Sequence, residues 1–308
     1  MRGSDYAQLR AFAMLAEHRS FRRASAHLGM SASALSQTIA KLESRLGVTL
    51  VNRTTRSVSL SEAGDGLILK LRPILADLDA TVSDVIASRG VIAGTLRINT
   101  TQIALRHHLA PLLQPLLSGN PGLVLDITVE EGLIDIVSGG FDAGIRLGEK
   151  LHADMVALPI SAAQRMMCVA APSYLERMGV PRTPHDLKDH RCFNYRWPTS
   201  QSLYRWEFER DGEEFDIAVS GPMIVNDTHI LVQAAVDGIG IAYLLEDQVR
   251  HDMAAGRLRP ILETWTPRFP GFYLYYPSRR QASPALRALI GLVKQRAGSH
   301  KGRENERA

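Results

Sequence analysis

The chain has 308 residues, of which 45% are hydrophobic and 22% are charged, as is typical of a globular protein rather than a disordered one. Because a single hydrophobic core seldom organises so many residues, this length predicts two or more domains. The sequence has no run of about 18 apolar residues and no apolar segment near its N-terminus. We therefore expect neither a membrane span nor a signal peptide. We expect a soluble protein of the cytoplasm.

Cys168 and Cys192 are the two cysteines, and their spacing matches neither a CxxC pair nor a zinc-binding pattern. The spacing excludes a disulfide framework and a metal knuckle as organising features. We predict that both are ordinary core residues, and that the protein uses neither a metal nor a cofactor.

The net charge of +4 is distributed unevenly along the chain. Residues 1–60 contain nine Lys or Arg and three Asp or Glu, so the rest of the chain is slightly acidic. A small basic module on a nearly neutral body is typical of DNA binding, since each cation near a phosphate releases condensed counterions. The alternative on charge alone is a basic face that is simply solvated.

The first fifty residues predict three short helices. Apolar residues at helical spacing from Tyr6 to Ala16 indicate the first helix, and Ser20 separates it from a second that contains Phe21 and Ala24. Gly29 and Met30 form a turn, Ser31 is a natural N-cap, and the third helix is expected to end before Gly47. Short helices joined by a tight turn predict a helix-turn-helix.

The third helix has two distinct faces at 100° per residue. The stripe expected to face the core consists of Leu35, Ile39, Leu42 and Leu46. The opposite side carries small or amide-bearing side chains that fit a major groove. Candidate DNA contacts there are Ser31, Ser33, Ser36, Gln37 and Lys41. Gln37 suits adenine, the serines suit base edges or phosphates, and Lys41 suits a phosphate. The plainer alternative is a polar surface without a partner.

Two short strands, Thr49–Val51 and Val58–Leu60, are predicted after the third helix. The loop between them contains Arg53 and Arg56, so this hairpin would form a wing beside the recognition helix. Both arginines are candidates for contact with the DNA backbone or minor groove, and the alternative is a solvated basic loop.

The motifs of this region occur in a specific order: Leu9-Arg10-Ala11-Phe12, Ser20-Phe21, Leu28-Gly29-Met30-Ser31-Ala32-Ser33-Ala34-Leu35-Ser36-Gln37, Asn52-Arg53-Thr54 and Leu60-Ser61-Glu62-Ala63-Gly64. Together they closely resemble the LysR-type transcriptional regulators. Many members of that family have arginine in place of Gln37, so an arginine–guanine contact is not carried over. Leu50-Val51-Asn52 also replaces the more usual Leu-Phe-Glu. The resemblance implies a winged helix-turn-helix that binds promoter DNA, with RNA polymerase as a possible partner.

A long amphipathic helix is predicted from Ser61 to about Ser88, giving a DNA-binding domain at 1–60 and a linker helix at 61–89. Its apolar seam includes Leu67, Leu71, Ile74, Leu78 and Val85. We expect this seam to pair two copies into a homodimer, which the family resemblance extends to a homotetramer; the alternative is packing within its own chain. Pro73 should bend the helix without ending it.

The remaining chain, at 90–298, alternates strands and helices and predicts an α/β domain with a largely parallel sheet. Expected elements include a strand at Thr95–Asn99, a helix at Ile103–Leu117, and a further helix near Leu133–Gly139. Phe141-Asp142-Ala143-Gly144-Ile145-Arg146-Leu147-Gly148 and Asp237-Gly238-Ile239-Gly240-Ile241-Ala242 resemble the family's effector domain. The resemblance implies a two-lobed, periplasmic-binding-protein-like body, with lobe I at about 90–164 and 267–298 and lobe II at about 165–266.

A small-molecule effector is expected in the cleft between these lobes, beyond the carboxyl ends of strands. The candidate effector-binding residues are Thr100, Thr101, Arg146, Tyr195, Asn226 and Thr228. Helix N-termini and an arginine would favour an anion. Plainer roles are open for these residues: the threonines as helix caps and Arg146 as a partner of Asp142 or Glu149. Tyr195, Trp197 and Trp206 could line an apolar pocket, and the alternative is that they are core aromatics.

Two other functions are weaker interpretations of the sequence. A DNA-tethered α/β enzyme is one, but the chain has no GxxxxGK[ST], GxGxxG, HExxH or GxSxG motif, so we expect no catalytic residues. A ligand-independent DNA-bridging protein is the other, and it would leave the cleft empty. The charged segment 299–308 lacks apolar anchors and is predicted to be a disordered tail.

Overall fold

The computed structural model describes residues 3–53, 58–87, 92–132, 134–148, 155–278 and 282–305. Within these ranges the chain folds as a winged helix-turn-helix, a long helix and a two-lobed α/β body, as the sequence predicts. The helices are α1 (Gly3–His18), α2 (Phe21–His27), α3 (Ala32–Leu46), α4 (Glu62–Ala87), α5 (Gln102–Ala104), α6 (Ala110–Ser118), α7 (Pro172–Met178), α8 (Thr228–Val236), α9 (Glu246–Ala254) and α10 (Pro284–Asn305).

The strands form one hairpin in the DNA-binding region and several sheets in the body. They are β1 (Val51–Arg53), β2 (Val58–Leu60), β3 (Ala93–Thr100), β4 (Gly122–Val129), β5 (Ala143–Leu147), β6 (Met155–Pro159), β7 (Gln164–Ala170), β8 (Asn194–Tyr195), β9 (Trp206–Arg210), β10 (Glu213–Ile217), β11 (Ile224–Val225), β12 (Ala242–Leu245), β13 (Arg259–Ile261), β14 (Arg268–Phe269) and β15 (Phe272–Pro277).

The helix-turn-helix begins and ends its helices at the predicted residues. Ser20 caps α2, Ser31 caps α3 by accepting from the backbone N–H of Ala34, and Gly47 ends α3 in the left-handed conformation at φ 69°. The core stripe of α3 is buried as far as Leu42, but Leu46 is 44% exposed, contrary to the prediction. Leu46 lies in the last turn, beyond the side chains that α1 and α2 contribute to this core.

The first half of α4 belongs to the core of the DNA-binding region, where Ile68 and Leu71 are buried against α1 and the hairpin. Gly64 allows this close packing, because a Cβ there would lie 2.1 Å from the carbonyl oxygen of Leu50. The helix continues past Pro73, as predicted, and its second half presents apolar side chains to solvent.

Lobe I is built on a five-stranded sheet in the order β4-β3-β5-β15-β6. β3 is parallel to β4 and β5, whereas β15 is antiparallel to β5 and β6. In lobe II, β7 pairs antiparallel with β12, β13 and β14. In lobe I the strands β4, β3, β5 and β6 therefore run in one direction, as the prediction of a largely parallel sheet requires, and β15 alone runs against them. The prediction is wrong for lobe II, where β7 runs against every strand it pairs with. Both reversed strands, β7 and β15, are the first after a crossover between the lobes.

The chain crosses between the lobes at two places. The first crossover lies between Pro159 of β6 and Gln164 of β7, and the second lies between Phe269 of β14 and Phe272 of β15. Lobe II strands thus extend from 164 to 269, a few residues beyond the expected 165–266, because the short β14 still pairs with β7.

Two helices differ from the sequence prediction. Residues 136–140 form turns rather than a helix, and Leu133 lies outside the described residues. The Asp135 carboxylate accepts from the N–H of Val137, and two glycines, Gly139 and Gly140, follow. The predicted helix 103–117 is present, but it contains a π-helical turn at Leu105–Leu109 that sequence periodicity did not indicate. This turn buries His108.

The C-terminal segment also differs from its prediction. Leu286, Leu289 and Val293 anchor α10 in the lobe I core, and the helix continues to Asn305. The structure thus continues α10 through residues 299–305, where the sequence predicts a disordered tail. Once a helix is nucleated, each added residue gains a backbone hydrogen bond without needing an apolar contact.

Among the residues that the structure describes, no helix is both long and apolar enough to cross a membrane. The two cysteines lie in the lobe II core, as predicted, and burial raises the pKa of the Cys192 thiol to about 12. The described residues contain no group of three or more His, Cys, Asp or Glu that could hold a metal ion.

Candidate DNA-binding face and effector cleft

The exposed face of α3 carries the polar side chains that the sequence singles out. Ser33, Gln37 and Lys41 are exposed, and they follow one another at four-residue steps on one side of the helix. Ser31 is exposed at the N-cap and its hydroxyl lies 2.9 Å from that of Ser33. Ser36 is half-buried and faces away from the centre of this face. The face is thus narrow, polar and close to a helix N-terminus.

Glu43 fixes the wing against the recognition helix, and sequence reasoning missed it. Its Oε1 accepts from the backbone N–H groups of Leu50 at 2.8 Å and Val51 at 3.0 Å. These bonds tie α3 to the start of β1, where Arg53 is the last residue. Arg56 and the rest of the loop at 54–57 lie outside the described residues. The available signal in the sequence was that Glu43 is an acidic residue between Lys41 and Arg45. Its hydrogen-bond partners can be identified only from the fold.

The strand ends in lobe I give a mixed result for the effector residues. Thr100 is fully buried and donates to the carbonyl oxygen of Thr101, so it is not on the cleft surface. Thr101 caps α5 by accepting from the N–H of Ala104 at 3.2 Å. The N–H of Gln102 donates to the Glu131 carboxylate at 3.0 Å, so a side chain of the protein itself already occupies this helix N-terminus.

Arg146 lies beneath this strand end and is almost fully buried. Its Nη2 donates to Asn99 Oδ1 and to the carbonyl oxygens of Glu130 and Gly132, both at 3.1 Å, and its Nη1 donates to the carbonyl oxygen of Ile145. Its Nε is buried with no partner among the described residues. Burial lowers the pKa of Arg146, while Tyr275, Glu131 and Glu130 oppose that shift. Arg146 therefore holds the strand-end loops together.

Lobe II contributes the remaining predicted residues. Asn226 is exposed after β11, and Asp227 caps α8 by accepting from the N–H of His229 at 2.9 Å. Thr228 Oγ1 accepts from Gln248 Nε2 at 2.6 Å. The two lobes approach closely here, since a Cβ on Gly132 would lie 2.9 Å from Cγ2 of Thr199.

Tyr195 lies near one carboxylate from each lobe, Glu131 of lobe I and Asp227 of lobe II. Burial raises its pKa to about 12, and the nearby carboxylates Glu131 and Asp227 add to that shift. Its ring contacts Trp197 edge-to-face at 5.3 Å. Trp206 is instead buried in the lobe II core and stacks on Tyr243, so the option that it lines the effector pocket is wrong.

Two carboxylates, Glu131 from lobe I and Asp227 from lobe II, thus define the cleft together with Tyr195. The sequence prediction omitted both carboxylates. Each lies two residues beyond a strand end, which was the available signal, but the prediction assigned the helix N-termini to a ligand. In the structure both N-termini bind carboxylates of the protein.

Comparison with known proteins agrees with this architecture. Residues 6–65 match the bacterial regulatory helix-turn-helix protein model of the lysR family, and residues 89–298 match the LysR substrate binding domain. The HTH-type transcriptional regulator PgrR of Escherichia coli K12 is 39% identical over 294 residues, covering 96% of this chain and 98% of the relative. PtxR of Pseudomonas aeruginosa is 31% identical, covering 96% and 93%.

Solved structures give the same result. CrgA, a LysR-type regulator from Neisseria meningitidis, superposes with a TM-score of 0.60 at 28% identity, covering 95% of this chain and 98% of that one. A full-length AphB variant shares the fold with a TM-score of 0.67 at 20% identity, covering 93% and 97%. The chain belongs to the LysR family of transcriptional regulators: a DNA-binding regulator whose C-terminal domain binds a small-molecule effector.

Proposed function

We propose that the protein binds promoter DNA as a dimer through paired α3 helices, and that an effector in the cleft alters this binding. The observation that carries the proposal is the exposed polar face of α3 in a module whose first 60 residues are strongly basic. Two such modules on one face of a dimer can bind the two half-sites of a palindrome. Effector domains that pair in turn would give a homotetramer, and RNA polymerase is a further candidate partner.

Within this proposal, Gln37 contacts base edges, while Lys41, Arg53 and Arg56 neutralise phosphates and Ser31, Ser33 and Ser36 position the helix. Lys41 suits its role because it is exposed, whereas Arg45, one turn further along α3, is paired with Asp5. Since the target is promoter DNA, we assign the protein to the cytoplasm.

Footprinting at varied salt concentration tests the DNA contacts. Gln37→Ala should change the sequence preference, since it removes a base contact. Lys41→Ala and Arg53→Ala should weaken binding to all sequences about equally and reduce the salt dependence by roughly one counterion each. Arg45→Ala is the matched control for Lys41→Ala. Protection that is absent at low salt, or a Gln37→Ala protein with unchanged preference, would contradict this assignment.

For the effector, the cleft charges lead us to revise the preference for an anion. An anion at α5 or α8 would meet the negative charge of Glu131 or Asp227, each of which already binds one backbone N–H there. We propose instead that the effector presents an amino or other cationic group to these carboxylates, near Tyr195. Thr101, Asn226 and Thr228 border the site, and Thr100 and Arg146 support it from below.

The two alternative functions fit the chain less well. The DNA-tethered enzyme would need a reactive group in the cleft, and the curated relatives reported above are transcriptional regulators rather than enzymes. We therefore propose that the protein is not an enzyme. The ligand-independent bridging protein would have no use for two carboxylates that flank a half-buried tyrosine in the cleft. An effector that leaves the footprint unchanged would favour that alternative.

A further inference from the structure

A second cavity, of about 520 Å³, lies where the lobes meet at the two crossovers. Its walls come from the π-helical turn, the first crossover, α9, β14 and α10. The residues that matter below are His108, Gln164, Glu246, Asp247, Arg250, Arg268 and Arg296. None of the cleft residues described above lines this cavity, and its volume is within the range of about 300–1,000 Å³ that small-ligand pockets occupy.

Positive charge exceeds negative charge in the lining. Three guanidinium groups face two carboxylates. Glu246 is shared between Arg250 at 3.7 Å and Arg268 at 3.4 Å. Asp247 is likewise shared between Arg250 at 2.7 Å and His108 at 3.2 Å. Each carboxylate therefore has at least two partners already, and the lining as a whole favours an added anion.

Arg296 has the least compensated charge in this lining. It reaches the cavity from α10, and its Nη1 donates to the backbone carbonyl oxygen of His108 at 3.3 Å. A carbonyl oxygen satisfies one N–H but does not neutralise the charge. The remaining N–H groups of a guanidinium form a planar fork that fits a carboxylate.

Gln164 adds a requirement for a hydrogen-bond donor. Its side chain is almost fully buried in the cavity wall, and its Nε2 donates to the carbonyl oxygen of Ala162 at 3.4 Å and to the Asp247 carboxylate. Its Oε1 is buried and accepts no hydrogen bond from the described residues. Buried amide oxygens in folded proteins are almost always paired. A ligand that fits here would therefore carry a hydroxyl or N–H group beside its negative charge.

We propose that this cavity is a second small-molecule site, which takes a hydroxy-carboxylate anion. The carboxylate groups bind the guanidinium groups of Arg296 and Arg268, and the hydroxyl donates to Gln164 Oε1. Because the lining belongs to both lobes and to a crossover, a bound anion adds contacts on both sides of the joint and holds the lobes in one relative position.

Titration calorimetry on the full-length protein without DNA tests this site, with malate and succinate as probes. The two dicarboxylates differ by one hydroxyl, so malate should bind about tenfold more tightly, as expected for one hydrogen bond to a buried acceptor. Gln164→Met keeps the length of the side chain and removes the acceptor, and it should abolish that difference while succinate binding is retained. Arg296→Gln should weaken both probes.

Two variants serve as controls. Arg257→Gln removes an arginine that pairs with Asp252 outside the cavity lining, and it should leave both affinities unchanged. Glu131→Gln alters the effector cleft alone, so a malate response that persists in it separates this site from the proposed cleft function. Absence of malate binding at millimolar concentration, equal binding of the two probes, or binding unaffected by Arg296→Gln would each overturn the proposal. If Gln164→Met fails to fold, the malate–succinate comparison in the unaltered protein still decides.

Discussion

Asp247 pairs with a side chain of the other lobe, so its ionisation affects a contact between the two lobes. It extends from α9 of lobe II to His108 of lobe I, and both side chains are less than one-tenth exposed. Burial alone would raise the pKa of this carboxyl, but its hydrogen bond with His108, the charge of Arg250 and a hydrogen bond with Gln164 lower the pKa to about 2. The ionised form is thus bound more strongly in the folded protein than in the unfolded one.

Asp247→Asn should therefore change how stability depends on pH. A carboxyl whose folded pKa is lowered contributes stability that is complete above its unfolded pKa of 3.8 and is lost as the pH falls towards 2. We expect the variant to be less stable by about 2 kcal/mol at pH 7, with the difference shrinking below pH 4. Urea unfolding from pH 2 to pH 7 measures this. Asp252→Asn is a control on the same helix, and a difference that does not vary with pH would refute the assignment.

The sequence alone could place a residue on an exposed face where that placement depends on a single helix. Ser33, Gln37 and Lys41 lie where the 3.6-residue period puts them, because a helix face depends only on spacing along the chain. Glu131 and Asp247 were not identified, because their roles depend on partners from distant segments. Nothing in the sequence distinguishes His108 from the other histidines. In the structure it lies in the π-helical turn and faces Asp247 of lobe II.

At the level of single elements, the two halves of α4 have different roles. Its first turns complete the core of the helix-turn-helix, and Gly64 sits against the carbonyl oxygen of Leu50. Its later turns expose Ile74, Leu78 and Val82, which are 63%, 43% and 55% exposed and follow one another at four-residue steps. The sequence predicted one continuous seam. The structure divides it, because the first half has a core to pack against within its own chain.

Replacing Gly64 by alanine should destabilise the DNA-binding region. A Cβ at 2.1 Å from a backbone oxygen forces α4 away from β1, which we expect to cost about 1–3 kcal/mol. Gly66→Ala is the matched control two residues along the same helix, where a Cβ meets open space and alanine should stabilise by up to about 1 kcal/mol. Thermal unfolding compares the two variants, and equal effects would show that the close contact does not determine stability.

The exposed half of α4 should hold the dimer together. Ile74→Lys puts a charge into the stripe of Ile74, Leu78 and Val82, and we expect it to weaken dimerisation at least tenfold, as judged by sedimentation velocity. Leu69 is similarly exposed but lies roughly 140° around the helix from Ile74 at 100° per residue, so Leu69→Lys is the control. A dimer that survives Ile74→Lys, or that Leu69→Lys disrupts equally, would exclude this stripe as the interface.

For the whole molecule, the two lobes meet through contacts at both the cleft and the crossovers. Gly132 approaches Thr199, Arg106 Nη1 lies 3.5 Å from His229 Nδ1, and His108 pairs with Asp247. The class, the two-lobed body and the approximate crossovers could be predicted, because the resemblance covers nearly the whole chain. The reversed direction of β7 and β15 and the charge of the cleft could not, since both depend on how the chain passes between the lobes.

The charge of the cleft predicts which effectors change DNA binding. Glu131→Gln and Asp227→Asn should each weaken the response to an amine-bearing effector about tenfold or more, because each removes one charge beside Tyr195. Asp126→Asn is the control, since that carboxylate pairs with Arg97 on the surface of lobe I. Footprint titration with a panel of amino acids, amines and simple carboxylates gives the readout. A response confined to simple carboxylates, and insensitive to both variants, would restore the preference for an anion.

The bonds from Glu43 to the start of β1 restrict how any such signal can act. Because β1 is bonded to α3 and the first turns of α4 share the same core, we expect the DNA-binding head to move as one rigid unit. An event in the body should then leave the surface that meets the bases unchanged. What it can alter is the angle and spacing between the two heads of the dimer. Regulation would thus select among operators by the distance between their half-sites, while the sequence recognised at each half-site stays the same.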